Sequence, residues 1–132
     1  MNKLIIKVGA SDNHFGAYTE NADGVYGAGN TPQEAINNAL EGLKLLKETR
    51  PKENLSPILQ KDYEIEYQYD TESFLKYYTN IFSKPALEKL TGINQKQLHH
   101  YASGISKPRE AQKKKIETAL HSLGRELLAV KL

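Results

Sequence analysis

The chain has 132 residues, carries 18 Lys or Arg against 16 Asp or Glu, and contains no cysteine. The lack of cysteine excludes a disulfide framework, a thiolate metal site and a cysteine nucleophile. No apolar run is long enough to span a membrane and the N-terminus lacks a signal-peptide core, so we expect a soluble, cytoplasmic protein. At this length the chain forms one domain or two small ones, and small cores favour oligomers.

The net charge of +2 is unevenly distributed. Residues 1–70 hold 7 Lys or Arg and 11 Asp or Glu, a net charge of −4, whereas residues 71–132 hold 11 and 5, a net charge of +6. A basic half suits nucleic acid, because neutralisation of phosphates dominates affinity. The acidic half suits a basic protein partner.

Three short strands are predicted first, over residues 3–8, 15–20 and 25–28. The first alternates imperfectly between apolar and polar residues. An Asp23-Gly24 pair separates the second from the third and is a typical hairpin signal. The three strands therefore predict an antiparallel meander.

The helix that follows has the clearest local signal of the first half. Thr31 is the predicted N-cap, Pro32 takes the first helical position, and Glu34 completes a capping box. The apolar face predicted to lie on the sheet consists of Ala35, Ile36, Ala39, Leu40, Leu43 and Leu46. Gly42 costs about 1 kcal/mol relative to alanine, which indicates a close approach of two backbones.

Residues 49–61 contain two prolines and are predicted to form a loop. Residues 63–69 alternate tyrosine or isoleucine with glutamate or glutamine, which predicts a strand with one buried and one solvated face. Stacking of these tyrosines on RNA bases is the alternative, but the glutamates would repel phosphate, so we expect core tyrosines. The first 70 residues thus predict a compact α+β module of order β-β-β-α-β.

Residues 71–132 predict an all-α domain. Its first helix runs from a cap at Asp70 or Thr71 to about Ile81, and its last starts at Ser106. The predicted apolar faces are Phe74, Leu75, Tyr78 and Ile81 on the first helix, and Ile116, Ala119, Leu120 and Leu123 on the last. Lys113, Lys114 and Lys115 form a solvated face or contact phosphate. Residues 125–132 are predicted to form a helical tail or a strand, and we favour a strand over residues 128–132 that pairs across a dimer axis.

Between these helices, residues 83–109 predict two short helices joined by a tight turn. Gly92 ends the first helix in a left-handed conformation, Asn94 caps the second, and Gly104 closes it. The expected apolar edges are Leu87 and Leu90 on the first helix and Leu98 and Tyr101 on the second. Helices joined by so short a turn cross steeply, which is the helix-turn-helix geometry.

The second of these helices is expected to present Gln95, Lys96, His99 and His100 outward. Such groups suit base edges and phosphates, although a polar face of an ordinary helical domain is the alternative. The succession of Gly-Ile-Asn, Leu, Tyr, glycine and proline before an amphipathic helix resembles the helix-turn-helix of phage-repressor-like (XRE-type) regulators. Glu88 departs from that pattern, which usually has a small residue at this position.

No residue set points to catalysis, a cofactor or a metal. The strand order is like a truncated ribonuclease H fold, but the first strand carries no carboxylate and no nucleophile–base pair is evident. Gly24, Gly27 and Gly29 lack the Lys-Ser/Thr pair of a phosphate-binding loop. The four histidines, His14, His99, His100 and His121, show no ligand spacing.

Residues 15–46, FGAYTENADGVYGAGNTPQEAINNALEGLKLL, resemble the HicB antitoxin N-terminal domain. The shared features are an aromatic strand, an acidic-glycine turn, a glycine-flanked strand, and Thr-x-x-Glu-Ala opening a helix. The resemblance implies a partial ribonuclease H-like module over residues 1–70 without catalytic carboxylates. It also implies a helix-turn-helix DNA-binding and dimerisation domain over residues 71–132.

In that family the N-terminal module neutralises a HicA toxin, a small basic protein that cleaves mRNA, and the C-terminal domain represses the operon as a homodimer or higher homo-oligomer. The predicted toxin contacts are Tyr18, Glu20 and Asp23. The predicted contacts to double-stranded operator DNA are Asn94, Gln95, Lys96, His99 and His100, with Lys107, Arg109 and the helix N-terminus near Ser83 or Lys84 on the backbone. A stand-alone repressor with a ligand-sensing N-terminal module is the alternative.

Overall fold

The computed structural model describes residues 2–132, which form a four-stranded mixed sheet and five α-helices, an α+β protein as predicted. The chain divides into two compact units, Met1–Asp70 and Thr71–Leu132. Among residues 2–132, no helix combines the length and the apolar character needed to cross a bilayer.

The first unit contains all four strands and one helix. Its elements are β1 (Asn2–Ala10), β2 (Phe15–Thr19), β3 (Tyr26–Gly29), α1 (Pro32–Thr49) and β4 (Tyr63–Tyr69). The sheet order is β3-β2-β1-β4, with β1 antiparallel to β2 and parallel to β4. Two short 3-10 turns, Lys52–Asn54 and Pro57–Gln60, lie within the predicted loop. The predicted order of three strands, helix and strand is therefore confirmed.

One face of the sheet and one face of α1 form the first core. Leu4, Ile6 and Val8 alternate along β1 and are almost fully buried. The buried residues of α1 are Pro32, Ala35, Ile36, Ala39 and Leu43. The last four belong to the predicted apolar face, and its other two members, Leu40 and Leu46, are partly buried against the same core. The Thr31 hydroxyl accepts a hydrogen bond of 3.0 Å from the Glu34 N–H, which confirms Thr31 as the N-cap.

The close approach between backbones lies at Gly27 on β3, not at Gly42. A Cβ at Gly27 would lie 2.2 Å from the Ala39 nitrogen and 2.4 Å from the Ala35 oxygen. A Cβ at Gly42 would meet only the Tyr26 oxygen, at 3.6 Å, which is an ordinary contact. The strand glycine therefore lets α1 sit directly on β3, and the prediction for Gly42 is wrong.

The tyrosines of β4 are less buried than predicted. Tyr63 and Tyr69 pack against the first core, but the side chain of Tyr67 is 42% exposed. The reason is topological. β4 is an edge strand, and α1 packs mainly over β3 and β2, toward the opposite edge of the sheet. The prediction of a fully buried tyrosine face is thus wrong at Tyr67.

The second unit is a four-helix domain with its own core. Its helices are α2 (Thr71–Tyr78), α3 (Lys84–Thr91), α4 (Gln95–Ser103) and α5 (Glu110–Leu128). The buried residues of the core are Leu75, Leu87, Ile93, Leu98, Tyr101, Ala102 and Ile116. The helix α2 ends three residues earlier than predicted, so Ile81 is exposed and Phe82 packs against the core instead. Leu90 is also exposed, contrary to its prediction as part of the apolar edge.

Both ends of α5 differ from the prediction. The helix starts at Glu110 rather than Ser106, and the Ser106 hydroxyl accepts a hydrogen bond of 3.1 Å from the Gln97 side chain. Gly124 lies inside the helix, which continues to Leu128 through Arg, Glu and Leu, all good helix formers. The predicted strand over residues 128–132 is therefore wrong.

Candidate functional site

The connection between α3 and α4 is held by local hydrogen bonds. Gly92 has a φ of 75° and its N–H donates to the Glu88 carbonyl at 2.8 Å, so α3 ends in the left-handed conformation predicted for this glycine. The Asn94 side chain accepts from the Lys96 N–H at 2.8 Å and caps α4, also as predicted. The Thr91 hydroxyl accepts from the Ile93 N–H at 3.1 Å. Together these bonds fix how α4 leaves α3.

The Glu88 side chain adds a bond across this turn. Its Oε1 accepts a hydrogen bond of 2.8 Å from the backbone N–H of Gln95, the first residue of α4. A carboxylate at this position satisfies one of the free N–H groups that begin a helix. The residue that departs from the XRE-type pattern therefore stabilises the start of α4.

The helix α4 has one buried and one exposed face. Leu98 and Tyr101 belong to the core, as predicted. The predicted DNA contacts Asn94, Gln95, Lys96 and His99 are exposed, and His100 is half-buried. The ring centroids of His99 and His100 lie 6.3 Å apart, so both rings border the same surface. The structure thus brings these five side chains together at the start and along one side of α4.

The segment after α4 extends this surface. Gly104 closes α4 with a φ of 80°, and the predicted contacts Lys107 and Arg109 are exposed in the segment that leads to α5. Sequence reasoning missed two further exposed residues here, Ser103 and Ile105. Ser103 follows His99 by one helical turn, so helical spacing could have predicted that it is exposed on the same side. No sequence signal predicts the exposure of Ile105, which follows the glycine that ends α4.

The cations of this surface have no internal counterion. Within residues 2–132, Lys96, Lys107 and Arg109 form no ion pair, whereas Lys113 pairs with Glu110 at 3.3 Å and Lys114 with Glu117 at 3.7 Å. Unpaired cations next to amide and imidazole groups favour binding of an external polyanion. At the other end of α3, the Ser83 hydroxyl accepts from the Ala86 N–H at 3.1 Å and begins the helix where predicted.

A second exposed surface lies on the outer face of the sheet in the first unit. The predicted toxin contact Tyr18 is 50% exposed and is paired across the strands with Tyr26, which is 59% exposed and was missed by the sequence reasoning. The pairing between the two strands is centred on Ala22, just before the Asp23-Gly24 pair, so the Asp-Gly signal alone does not predict that the two tyrosines are neighbours. Lys7 is the neighbour of Tyr18 on β1, and its ammonium forms an ion pair of 3.9 Å with the Glu20 carboxylate.

Two further acidic side chains of the first unit, Asp23 and Glu66, lie apart from the tyrosine pair. Asp23 lies in the turn, where its N–H donates to the Ser56 hydroxyl at 2.9 Å, so it is not part of the tyrosine pair. On β4, hydrogen bonds from the Gln68 amide and the Lys3 ammonium, together with the charge of Lys3, lower the pKa of Glu66. The outer face therefore carries ordered polar groups around two exposed aromatic rings.

Comparison of the chain with protein-family models, curated sequences and solved structures gives no match. Among residues 2–132, no three His, Asp or Glu side chains are placed to hold a metal ion. The surface around α4 and the tyrosine-bearing face of the sheet are therefore the features from which a function can be inferred.

Proposed function

We propose that the chain is a DNA-binding antitoxin of the HicB kind. Its second unit binds operator DNA through α3 and α4, acting as a helix-turn-helix, and its first unit acts as a partial ribonuclease H-like module that binds a HicA-type toxin. The chain itself has no catalytic role in this proposal. The observation that carries it is the capped α3–α4 pair, whose exposed side presents Lys96 and His99 beside the unpaired cations Lys107 and Arg109.

Several properties support DNA as the ligand of the second unit. In a helix-turn-helix, residues near the N-terminus of the second helix contact base edges in the major groove. Gln95 and Lys96 occupy that position in α4, and both offer hydrogen-bonding groups suited to purine edges. Lys107 and Arg109 follow α4 and are expected to contact phosphate, which orients the protein without reading sequence.

The first unit suits a basic protein partner. Its sequence carries a net charge of −4, and exposed tyrosines such as Tyr18 and Tyr26 are frequent anchors at protein interfaces. A small cationic toxin would meet both the aromatic pair and the excess negative charge. The toxin contacts in this proposal are Tyr18, Glu20 and Tyr26, with Asp23 at the adjoining turn.

Co-expression tests the antitoxin role. The tagged chain is expressed with the product of the adjacent reading frame. We expect that product to be a small basic protein that arrests growth alone, and the chain to bind it stably and restore growth. A matched variant, Tyr18→Ala with Tyr26→Ala, should lose the complex while a Tyr67→Ala control on the opposite face retains it. A neighbour that is neither toxic nor bound would contradict the antitoxin role and leave the DNA-binding role to be tested separately.

A stand-alone repressor that senses a ligand is the second candidate, and one cleft favours it. An open cleft of about 610 Å³ in the first unit is lined by Lys47, Lys52, Leu55, Leu59, Gln60, Lys61 and Asp62. Three lysines against one carboxylate leave an excess of positive charge beside two leucines, which suits a small acidic ligand with an apolar part. A change in operator affinity on adding such a ligand, lost in Lys52→Ala, would favour this candidate.

A further inference from the structure

The segment that joins α4 to α5 exposes an isoleucine to solvent. Ile105 is 68% exposed and directly follows Gly104, the residue whose φ of 80° ends α4. An apolar residue that follows such a glycine commonly packs back onto the last turn of its own helix. Because most of the surface of Ile105 is uncovered, packing within the second unit does not explain why an isoleucine stands here.

Hydrogen bonds to α4 fix the backbone next to Ile105. The Ser106 N–H donates to the His100 carbonyl at 3.3 Å, and the Ser106 hydroxyl accepts from the Gln97 side chain at 3.1 Å. These bonds hold the segment against α4 directly after Ile105. Since His100 belongs to the proposed DNA surface, the isoleucine is held beside that surface.

Exposure alternates along residues 105–109. Ile105, Lys107 and Arg109 are exposed, whereas Ser106 and Pro108 between them are half-buried. A period of two is the pattern of an extended segment that presents every second side chain to the same side. Ile105 therefore lies on the same side of the segment as the two cations that are proposed to contact phosphate.

We propose that Ile105 packs against a deoxyribose of the DNA backbone strand that Lys107 and Arg109 contact. This inference rests on the proposed function and deepens it, because it adds an apolar contact to a surface of polar and charged groups. The sugar carbons are the apolar part of the backbone and lie between the phosphates that the two cations bind.

A thymine methyl is the other apolar group that the major groove offers. In a helix-turn-helix, however, residues near the N-terminus of the second helix contact the base edges. Ile105 lies beyond the C-terminal end of α4, ten positions after Gln95. Its place in the chain therefore favours the backbone over the bases.

The contact with a sugar positions the chain on the duplex and does not read sequence. A deoxyribose is present at every nucleotide, so Ile105 contributes equally to binding of the operator and of unrelated DNA. The isoleucine carries no charge and displaces no counterion from the phosphates, so its contribution does not change the salt dependence of binding. These two properties together distinguish it from a base-reading residue and from a lysine.

Ile105→Ser in the full chain tests the contact, with DNA affinity measured by fluorescence anisotropy. Loss of the apolar contact should weaken binding to the operator and to unrelated DNA by about fivefold each. The slope of log affinity against log salt concentration should stay that of the unsubstituted chain. The matched control is Leu128→Ser, which removes an exposed leucine about 27 Å along α5 from its first residue and should leave DNA affinity unchanged.

The outcomes separate this contact from the proposed function. An unsubstituted chain that binds no DNA overturns both. If that chain binds DNA and folded Ile105→Ser binds equally well, the contact alone is overturned and the assignment of α4 stands. A loss confined to the operator overturns it as well, because it places Ile105 on a thymine methyl, which replacement of thymine by uracil would then identify. A flattened salt slope also overturns it, because the substitution then acts through the neighbouring cations.

Discussion

The Glu88 carboxylate accepts a hydrogen bond of 2.8 Å from the backbone N–H of Gln95, and this bond joins α3 to the first residue of α4. Glu88 thereby contributes to the start of α4 together with the Asn94 cap. Its negative charge also lies beside the helix end that is proposed to approach DNA. The same side chain is therefore expected to stabilise the fold and to weaken the attraction for phosphate.

Two substitutions of Glu88 separate these effects. Glu88→Ala removes the acceptor and should lower the free energy of unfolding by about 1 kcal/mol, which urea denaturation measures. Glu88→Gln keeps an acceptor oxygen but removes the charge, so it should retain most of the stability and raise the affinity for DNA of any sequence. Equal DNA affinity in Glu88→Gln and in the original chain would place the start of α4 away from the phosphates.

Substitutions on α4 test sequence reading. Gln95→Ala or Lys96→Ala should cost about 1–3 kcal/mol of affinity for the operator upstream of the gene and relax the preference for it over unrelated DNA. Fluorescence anisotropy with both DNAs measures the two effects. Lys113→Ala is the matched control, because that lysine pairs with Glu110 on α5. Unchanged operator affinity in folded Gln95→Ala and Lys96→Ala would remove α4 from the interface.

Lys107→Ala should act differently from the α4 variants. A lysine that contacts phosphate contributes equally on every sequence, so operator and unrelated DNA should both bind more weakly. The slope of log affinity against log salt concentration should flatten by about one unit. A loss confined to the operator would instead make Lys107 a base-reading residue.

Two glycine substitutions test the contact between α1 and β3. Gly27→Ala places a methyl group against the backbone of Ala35 and Ala39 and should destabilise the first unit by about 1–3 kcal/mol or more. Gly42→Ala, in the open part of the same helix, should stabilise it by about 1 kcal/mol, because alanine is the better helix former. Thermal unfolding of both variants gives the comparison, and equal melting temperatures would contradict the close contact.

Local signals were predictable because their causes lie within a few residues. Thr31, Gly92 and Asn94 each fix a helix end through a bond to a neighbour two to four residues away, and the sequence predicts all three. Burial was predicted less well for residues whose exposure depends on which other helix packs over their own helix or strand. Leu90 and Tyr67 satisfy the periodicity of core residues, yet both are exposed, since α5 leaves a groove at Leu90 and α1 packs mainly over β3 and β2 rather than β4.

In the candidate site, too, local features could be predicted and features that depend on packing could not. The exposed side of α4 could be predicted from its periodicity, because Leu98 and Tyr101 fix the buried side. The Glu88–Gln95 bond could not, since it depends on the crossing of two helices. Tyr26 was missed because its strand was predicted to start one residue too early, and because the register that pairs it with Tyr18 is not fixed by the Asp-Gly turn signal.

The parallel pairing of β1 with β4 has a consequence for synthesis on the ribosome. β1 is the first strand made, but one of its neighbours is complete only at Tyr69, after the whole of α1. Until then the nascent chain exposes one edge of its central strand. Contacts so distant in sequence form slowly, and unpaired edges invite aggregation. A chain truncated before residue 63 would therefore leave one edge of β1 unpaired, so the sheet of the first unit can be completed only after β4 has been synthesised.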